Sequence, residues 1–230
     1  MHCNESENRR SCRNFELEQP RTNGEILADT LIRIIGGNGV ARETSREGVQ
    51  FEETGDDRNR KDEETLEYFA KSRGVWIENA DEYLEKLYGK YFAHGSESYV
   101  YRKSKNLVVK TRSFIGYESV IQALVSIKIH NILFPETSLK IVALGRSFGE
   151  FTAVLEQNNV NGNFATKDEI EKFVNQRFGA VKDDSVLGGN SYKTDKYLMQ
   201  DLKPKNVLVS ERYGKKEFFV IDGDFYINNY

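Results

Sequence analysis

Near its C-terminal end the chain carries Asp201 and Asn206 in the stretch Asp-Leu-Lys-Pro-Lys-Asn, and Asp222 in Ile-Asp-Gly-Asp. Residues 206–210 and 217–221 are apolar, strand-prone runs around Arg212-Tyr213-Gly214-Lys215, a glycine-containing turn. Antiparallel pairing about Gly214 sets Asn206 opposite Asp222 at the open end of a hairpin. Asp201 then sits in the loop that leads into it. Two carboxylates and a carboxamide on one patch are hard oxygen donors, the kind Mg²⁺ takes beside bound phosphates.

A second constellation lies farther back. Pairing residues 99–103 with 106–111 about Ser104-Lys105 sets Tyr99 beside Lys110, next to the turn Gly95-Ser96-Glu97-Ser98. A glycine lets backbone N–H groups approach phosphate oxygens, and an adjacent ammonium supplies the counter-charge. Taken alone, Gly95 reads as a turn residue and Lys110 as a solvated strand-end lysine. Together with the C-terminal set they describe a nucleotide cleft.

Several elements must hold these residues. Strand-like runs at 90–94, 99–103, 106–111, 138–146 and 151–157 predict a five-stranded antiparallel sheet, with one helix over 116–132 inserted after the third strand. That helix stops before Pro135. Helices are expected at 63–72, at 81–88 capped by Asn79, and at 167–178. There Thr166 and Glu169 form a capping box. Residues 179–195 read as a loop, with Asp183 and Asp184 as solvating charges. His130, on an apolar helix, reads as a core or capping histidine.

The N-terminal part differs. Residues 1–22 have the composition of a disordered segment, and 38–62 of a charged linker. Between them, Leu27, Leu31, Ile34 and Ile35 recur at helical spacing over about 24–35. This short amphipathic helix must cover its apolar stripe with the main domain or with a protein partner.

Net charge is −3, and no basic stripe with interleaved aromatics is present, so nucleic acid is not an expected partner. The apolar runs are too short and interrupted to span a bilayer, and the N-terminus lacks a secretory pattern. The two cysteines, Cys3 and Cys12, have no zinc-site spacing and read as tail residues. A cytoplasmic protein is expected.

The motifs Gly95-Ser96-Glu97-Ser98-Tyr99-Val100-Tyr101, Val108-Val109-Lys110, Asp201-Leu202-Lys203-Pro204-Lys205-Asn206 and Val220-Ile221-Asp222 resemble the motif series of protein kinases and their relatives. The run His130-Asn131-Ile132-Leu133-Phe134-Pro135-Glu136-Thr137, followed by Gly145-Arg146, is similar to the small bacterial polyvalent protein kinase domains of Bacteroidetes mobile elements. The resemblance covers about 88–228. It implies ATP and Mg²⁺ as cofactors. Lys110 would pair with the α- and β-phosphates, and Gly95, Ser96, Glu97 and Ser98 would cover them. Asp201 would accept or orient the proton of the attacking hydroxyl, Lys203 would reach the γ-phosphate, and Asn206 and Asp222 would hold the metal. Glu156, Gln157 and Asn158, ending the fifth strand, would meet the adenine.

Departures from the kinase pattern accompany these motifs. The phosphate loop has one glycine, Met199-Gln200 precede Asp201 where His-Arg is usual, and Asp222-Gly223-Asp224 replaces Asp-Phe-Gly. Either Asp222 or Asp224 could be the ligand, and the end of the apolar strand favours Asp222. Glu118 or Gln122 stands near the place of the helical partner of Lys110. With the chain stopping at Tyr230, no activation loop or peptide-binding helices are expected.

The expected fold is α+β, a reduced bilobal kinase-like domain. Residues 1–62 are a largely disordered segment, 63–89 a helical lead-in, 90–157 the N-lobe and 158–230 a truncated C-lobe. The expected function is an ATP- and Mg²⁺-dependent phosphotransferase with an unknown phosphoacceptor. The alternatives are a pseudokinase that only binds or scaffolds, and a small-molecule kinase of the antibiotic-phosphorylating type.

Overall fold

The computed structural model describes Thr30, Leu31, Arg33 and residues 55–95, 98–185, 189–212 and 214–228. The expected disordered tail with its cysteines, and most of the expected helix at 24–35, lie outside these residues. Leu31 is fully buried in one cluster with Leu66, Ala70 and Phe114, so this chain itself covers that position.

Helix α1, Gly55–Ser72, begins well before the expected 63 and takes in part of the charged linker. Its charges explain the difference, since Arg60–Glu64 and Glu67–Lys71 pair one turn apart at 3.0 and 2.7 Å while Leu66 and Ala70 face the core. Strand β1, Trp76–Ile77, follows, then α2, Ala80–Tyr88, whose first turn is capped by Asn79.

The small-lobe sheet adds β2 (Ala93–His94), β3 (Tyr99–Arg102), β4 (Leu107–Ser113), β5 (Lys140–Ser147) and β6 (Glu150–Asn158). Its order is β1-β5-β6-β4-β3-β2, so it has six strands rather than the five expected, and β1 pairs parallel to β5. Gly145 permits that edge: a Cβ there would sit 2.2 Å from the carbonyl oxygen of Ile77. Two registers also differ from expectation. The β3–β4 connection is four residues long, because the amides of Lys103 and Ser104 both donate to Leu107, and Lys110 therefore faces Val100 rather than Tyr99.

Helix α3, Val120–Leu133, starts after Ser119, whose side chain accepts from the Gln122 amide. Glu118, expected inside it, precedes it. Val120, Leu124 and Ile127 pack into the small-lobe core, whereas Ile129 and Leu133 belong to the large-lobe core with Met199, Leu202, Val207, Val220 and Phe225. One helix therefore serves both lobes.

The large lobe contains β7 (Asn163–Phe164), α4 (Lys167–Phe178), β8 (Val181–Lys182), β9 (Tyr192–Lys193), β10 (Tyr197–Gln200), β11 (Val207–Arg212), β12 (Lys215–Val220) and β13 (Asp224–Ile227). Thr166 and Glu169 form a reciprocal capping box on α4, and Gly179 closes it at φ 65. The strands form two sheets, ordered β13-β10-β9-β8 and β12-β11-β7. The region expected as a loop thus holds β8 and β9. Asp183 between them is 6% exposed and accepts from Ser185 and Lys193, so it is not a solvating charge. No helix among the described residues is long and apolar enough to cross a membrane.

Candidate active site

Arg212 pairs with Lys215 and Val207 with Val220, so only two residues join β11 to β12. Asn206 consequently falls opposite Ile221, whose amide donates to its carbonyl at 2.9 Å, and Asp222 lies one residue farther. The expected pairing of Asn206 with Asp222 is off by one. The convergence survives because both residues lie beyond the ends of the paired strands, where a slip changes no face.

Asp201 has φ +56, a left-handed conformation that non-glycine residues seldom adopt. The Asn206 amide donates to both its carbonyl, at 2.8 Å, and its Oδ2, at 2.9 Å. Lys203 Nζ lies 2.5 Å from its Oδ1, and the Lys203 amide donates to its carbonyl. With the Nδ2 of Asn206 spent on Asp201, the Oδ1 of that amide remains as its acceptor.

Lys110 is 4% exposed and donates to the carbonyl of Ile221 at 2.8 Å. Burial pushes its pKa down, against the opposing charge of Asp222. For Asp222, burial acts to raise the pKa, but Lys110 and Arg112, with the Gly223 amide, outweigh it and hold the carboxyl below its usual value. Asp224 lines the same cleft and is bound to the small-lobe side. Its Oδ1 accepts from Arg112 at 2.7 Å and from the Tyr117 hydroxyl at 2.6 Å. Gly223 between the two acids has φ 153, and an added Cβ would meet Leu202 at 3.0 Å and Phe225 at 3.1 Å. The turn needs that glycine.

One cleft of about 1010 Å³ joins these groups. It is lined by Gly95, Ser98, Lys110, Gln157 and Asn158 from the small-lobe side, and by Asp201, Lys203, Asn206 and Asp222 from the large lobe. Ser96 and Glu97 lie outside the described residues. Glu156 does not line the cleft. Strand alternation turns it to the outer face of the sheet, where it pairs with Lys103, while Gln157 donates to the Thr137 carbonyl at 2.7 Å. Glu118 is not held to Lys110 either; its carbonyl takes the Asn59 side chain and its amide the Gln122 side chain.

The run from His130 to Thr137 fastens the lobes. His130 Nε2 meets the Thr137 carbonyl at 2.9 Å, and the Thr137 hydroxyl donates to the Val220 carbonyl at 2.6 Å. Asn131 accepts from the Leu139 amide and donates to its carbonyl. Sequence reading missed Arg112, Tyr117 and Thr137. Arg112 carried a usable signal, since two residues along β4 from Lys110 put it on the same face of the strand.

Among the described residues no three His, Cys, Asp or Glu side chains cluster as a metal site. The cleft is instead lined by the carboxylates of Asp201, Asp222 and Asp224 and the amide of Asn206, oxygen donors that fit a hard cation such as Mg²⁺ better than zinc. Residues 59–229 match the protein family described as "Serine/Threonine/Tyrosine Kinase found in polyvalent proteins". No curated protein and no solved structure matches the chain.

Proposed function

This chain belongs to the family of serine/threonine/tyrosine kinases found in polyvalent proteins, and from that premise we propose that its cleft binds ATP with Mg²⁺ and transfers the γ-phosphoryl group to a protein hydroxyl. The observation that supports this most is the meeting of Lys110 from β4 with Asp201, Asn206 and Asp222 from the large lobe around one cleft. Kinase-type phosphoryl transfer asks little covalent chemistry of the protein and depends on positioning and charge neutralisation.

In this reading Lys110 meets the α- and β-phosphates, and the turn from Gly95 to Ser98 covers them. Gln157 and Asn158 border the base. Asp222 and the Oδ1 of Asn206 hold Mg²⁺, which when bound neutralises charge on the phosphate oxygens. Asp201 accepts the hydrogen bond of the incoming hydroxyl and sets its lone pair toward phosphorus. It takes the proton as the new O–P bond forms and the bond to the β-phosphate oxygen breaks, with ADP leaving. Lys203, already beside Asp201, balances charge gathering on the transferred group. Arg112 and Tyr117 both bond Asp224 at Oδ1, which favours Asp222 over Asp224 as the ligand. Action in a bacterial cytoplasm, in the mobile-element setting that the resemblance implies, belongs to the same proposal.

The test is transfer of labelled γ-phosphate, including autophosphorylation and transfer to peptides bearing Ser, Thr or Tyr. Asp201→Asn is expected to lower the rate by about 10²–10⁴, the usual contribution of a positioned general base. Equal transfer by Asp201→Asn would overturn the assignment, and ATP binding without transfer in the native protein would reduce the domain to a binding module.

A further inference from the structure

Arg112 shares a face of β4 with Lys110 and is 4% exposed, yet the phosphate and metal roles leave it unused. Its guanidinium donates to the Gly223 carbonyl at 2.9 Å and to Asp224 Oδ1 at 2.7 Å, and lies 3.6 Å from Asp222 Oδ1. It also contacts the hydroxyl of Tyr117, which itself donates to the same Asp224 oxygen. One small-lobe side chain thus holds all three residues of Asp222-Gly223-Asp224. Helix α3, by contrast, reads VIQALVSIKIHNIL and contains no acid. The pairing of strand lysine with helix carboxylate, by which kinases couple helix position to the metal turn, has no partner to form on α3.

We infer that Arg112 is the positioning residue of the metal-binding turn: with Asp224 and Tyr117 it fixes Gly223, and so aims Asp222 into the cleft. Helix α3 reaches the same turn through the Ser126 hydroxyl, which meets Tyr117 and the Phe225 amide, and not through an acid. The inference rests on the proposed Mg²⁺ role of Asp222. Its sign separates it from two simpler roles. A bystander cation 3.6 Å from Asp222 repels Mg²⁺, so removing it would tighten metal binding. A merely structural ion pair would change stability and leave the metal affinity of the folded protein alone. A positioning residue, when lost, weakens metal binding. Outer partners of metal ligands typically govern about 10–100-fold in affinity.

Two readouts test this on the full chain. The first is hydrogen exchange across 221–224 in protein free of metal and nucleotide. The second is the Mg²⁺ concentration that gives half of the ATP-dependent rise in Tm. Arg112→Gln is expected to speed exchange in that segment and to raise the Mg²⁺ midpoint about tenfold or more. Arg112→Lys should restore the midpoint only in part, since an ammonium lacks the planar fork that reaches several acceptors. If Arg112→Gln unfolds, the pair Arg112→Met with Asp224→Leu replaces the ion pair by apolar groups, and the faster exchange across 221–224 should persist in it. Unchanged exchange in 221–224, or an unchanged or lowered midpoint in folded Arg112→Gln, overturns the inference. A native protein with no Mg²⁺ response at all overturns the proposed function, and the metal role of Arg112 with it.

Discussion

At Asp201 the left-handed backbone costs about 1–3 kcal/mol, and the Asn206 amide and Lys203 hold it there. Strain kept at a residue that lines the cleft is consistent with a working role. The meeting of Asp201, Asn206 and Asp222 at one cleft was legible in the sequence because their donor chemistry is unusual in so short a span. Arg112 was passed over despite sharing a strand face with Lys110, since a basic residue on a strand ordinarily reads as solvated. His130 shows the converse: it is fully buried, and burial takes its pKa down to about 3, so it is neutral in the fold. Its stabilising contribution is full above the unfolded value near 6.5 and is lost progressively as pH falls toward 3, because only the unfolded chain takes up the proton. Between pH 7 and pH 5 the native protein should therefore lose about 2 kcal/mol more unfolding free energy than His130→Gln does. Parallel pH profiles for the two proteins in denaturant titrations would contradict this.

Among the elements, the strongly periodic ones were readable, and the short or edge ones were not. The capping box at Thr166 and Glu169 is a local signal and is present in the structure. The registers of β3–β4 and β11–β12 were each off by one, because turn length rather than strand pattern sets them. Strand β1 has two residues, too few for any alternation to show, and it exists through a contact distant in sequence. Gly145 makes that contact possible. An alanine there gains about 0.4–1 kcal/mol from a less flexible unfolded chain. It must also push aside a backbone carbonyl 2.2 Å from its Cβ, an overpacking cost of about 1–3 kcal/mol. The second effect wins. Gly145→Ala should destabilise the protein in urea titration, and a neutral or stabilising result would mean that β1 is not held against Gly145.

For the whole molecule, α3 matters most, because its two halves lie in the cores of the two lobes and Thr137 beyond it bonds to Val220. That the motif residues border one cleft was legible from the motif order. The sharing of one helix was not, since an apolar helix shows neither which of its residues meets which lobe nor that it meets two. Lobes joined in this way hold Lys110 against the Asp222 turn, where it donates to the Ile221 carbonyl, so one nucleotide should meet both. Calorimetric titration with a non-hydrolysable ATP analogue, with Mg²⁺ and with chelator, tests that claim most directly. The account predicts one site that Mg²⁺ tightens. Lys110→Met should weaken it about tenfold or more in both conditions, the loss of a charge-assisted contact worth roughly 1.5–3 kcal/mol. Asp222→Asn should abolish the Mg²⁺ effect alone. A Mg²⁺ effect that survives Asp222→Asn, or an affinity indifferent to Lys110→Met, would contradict it.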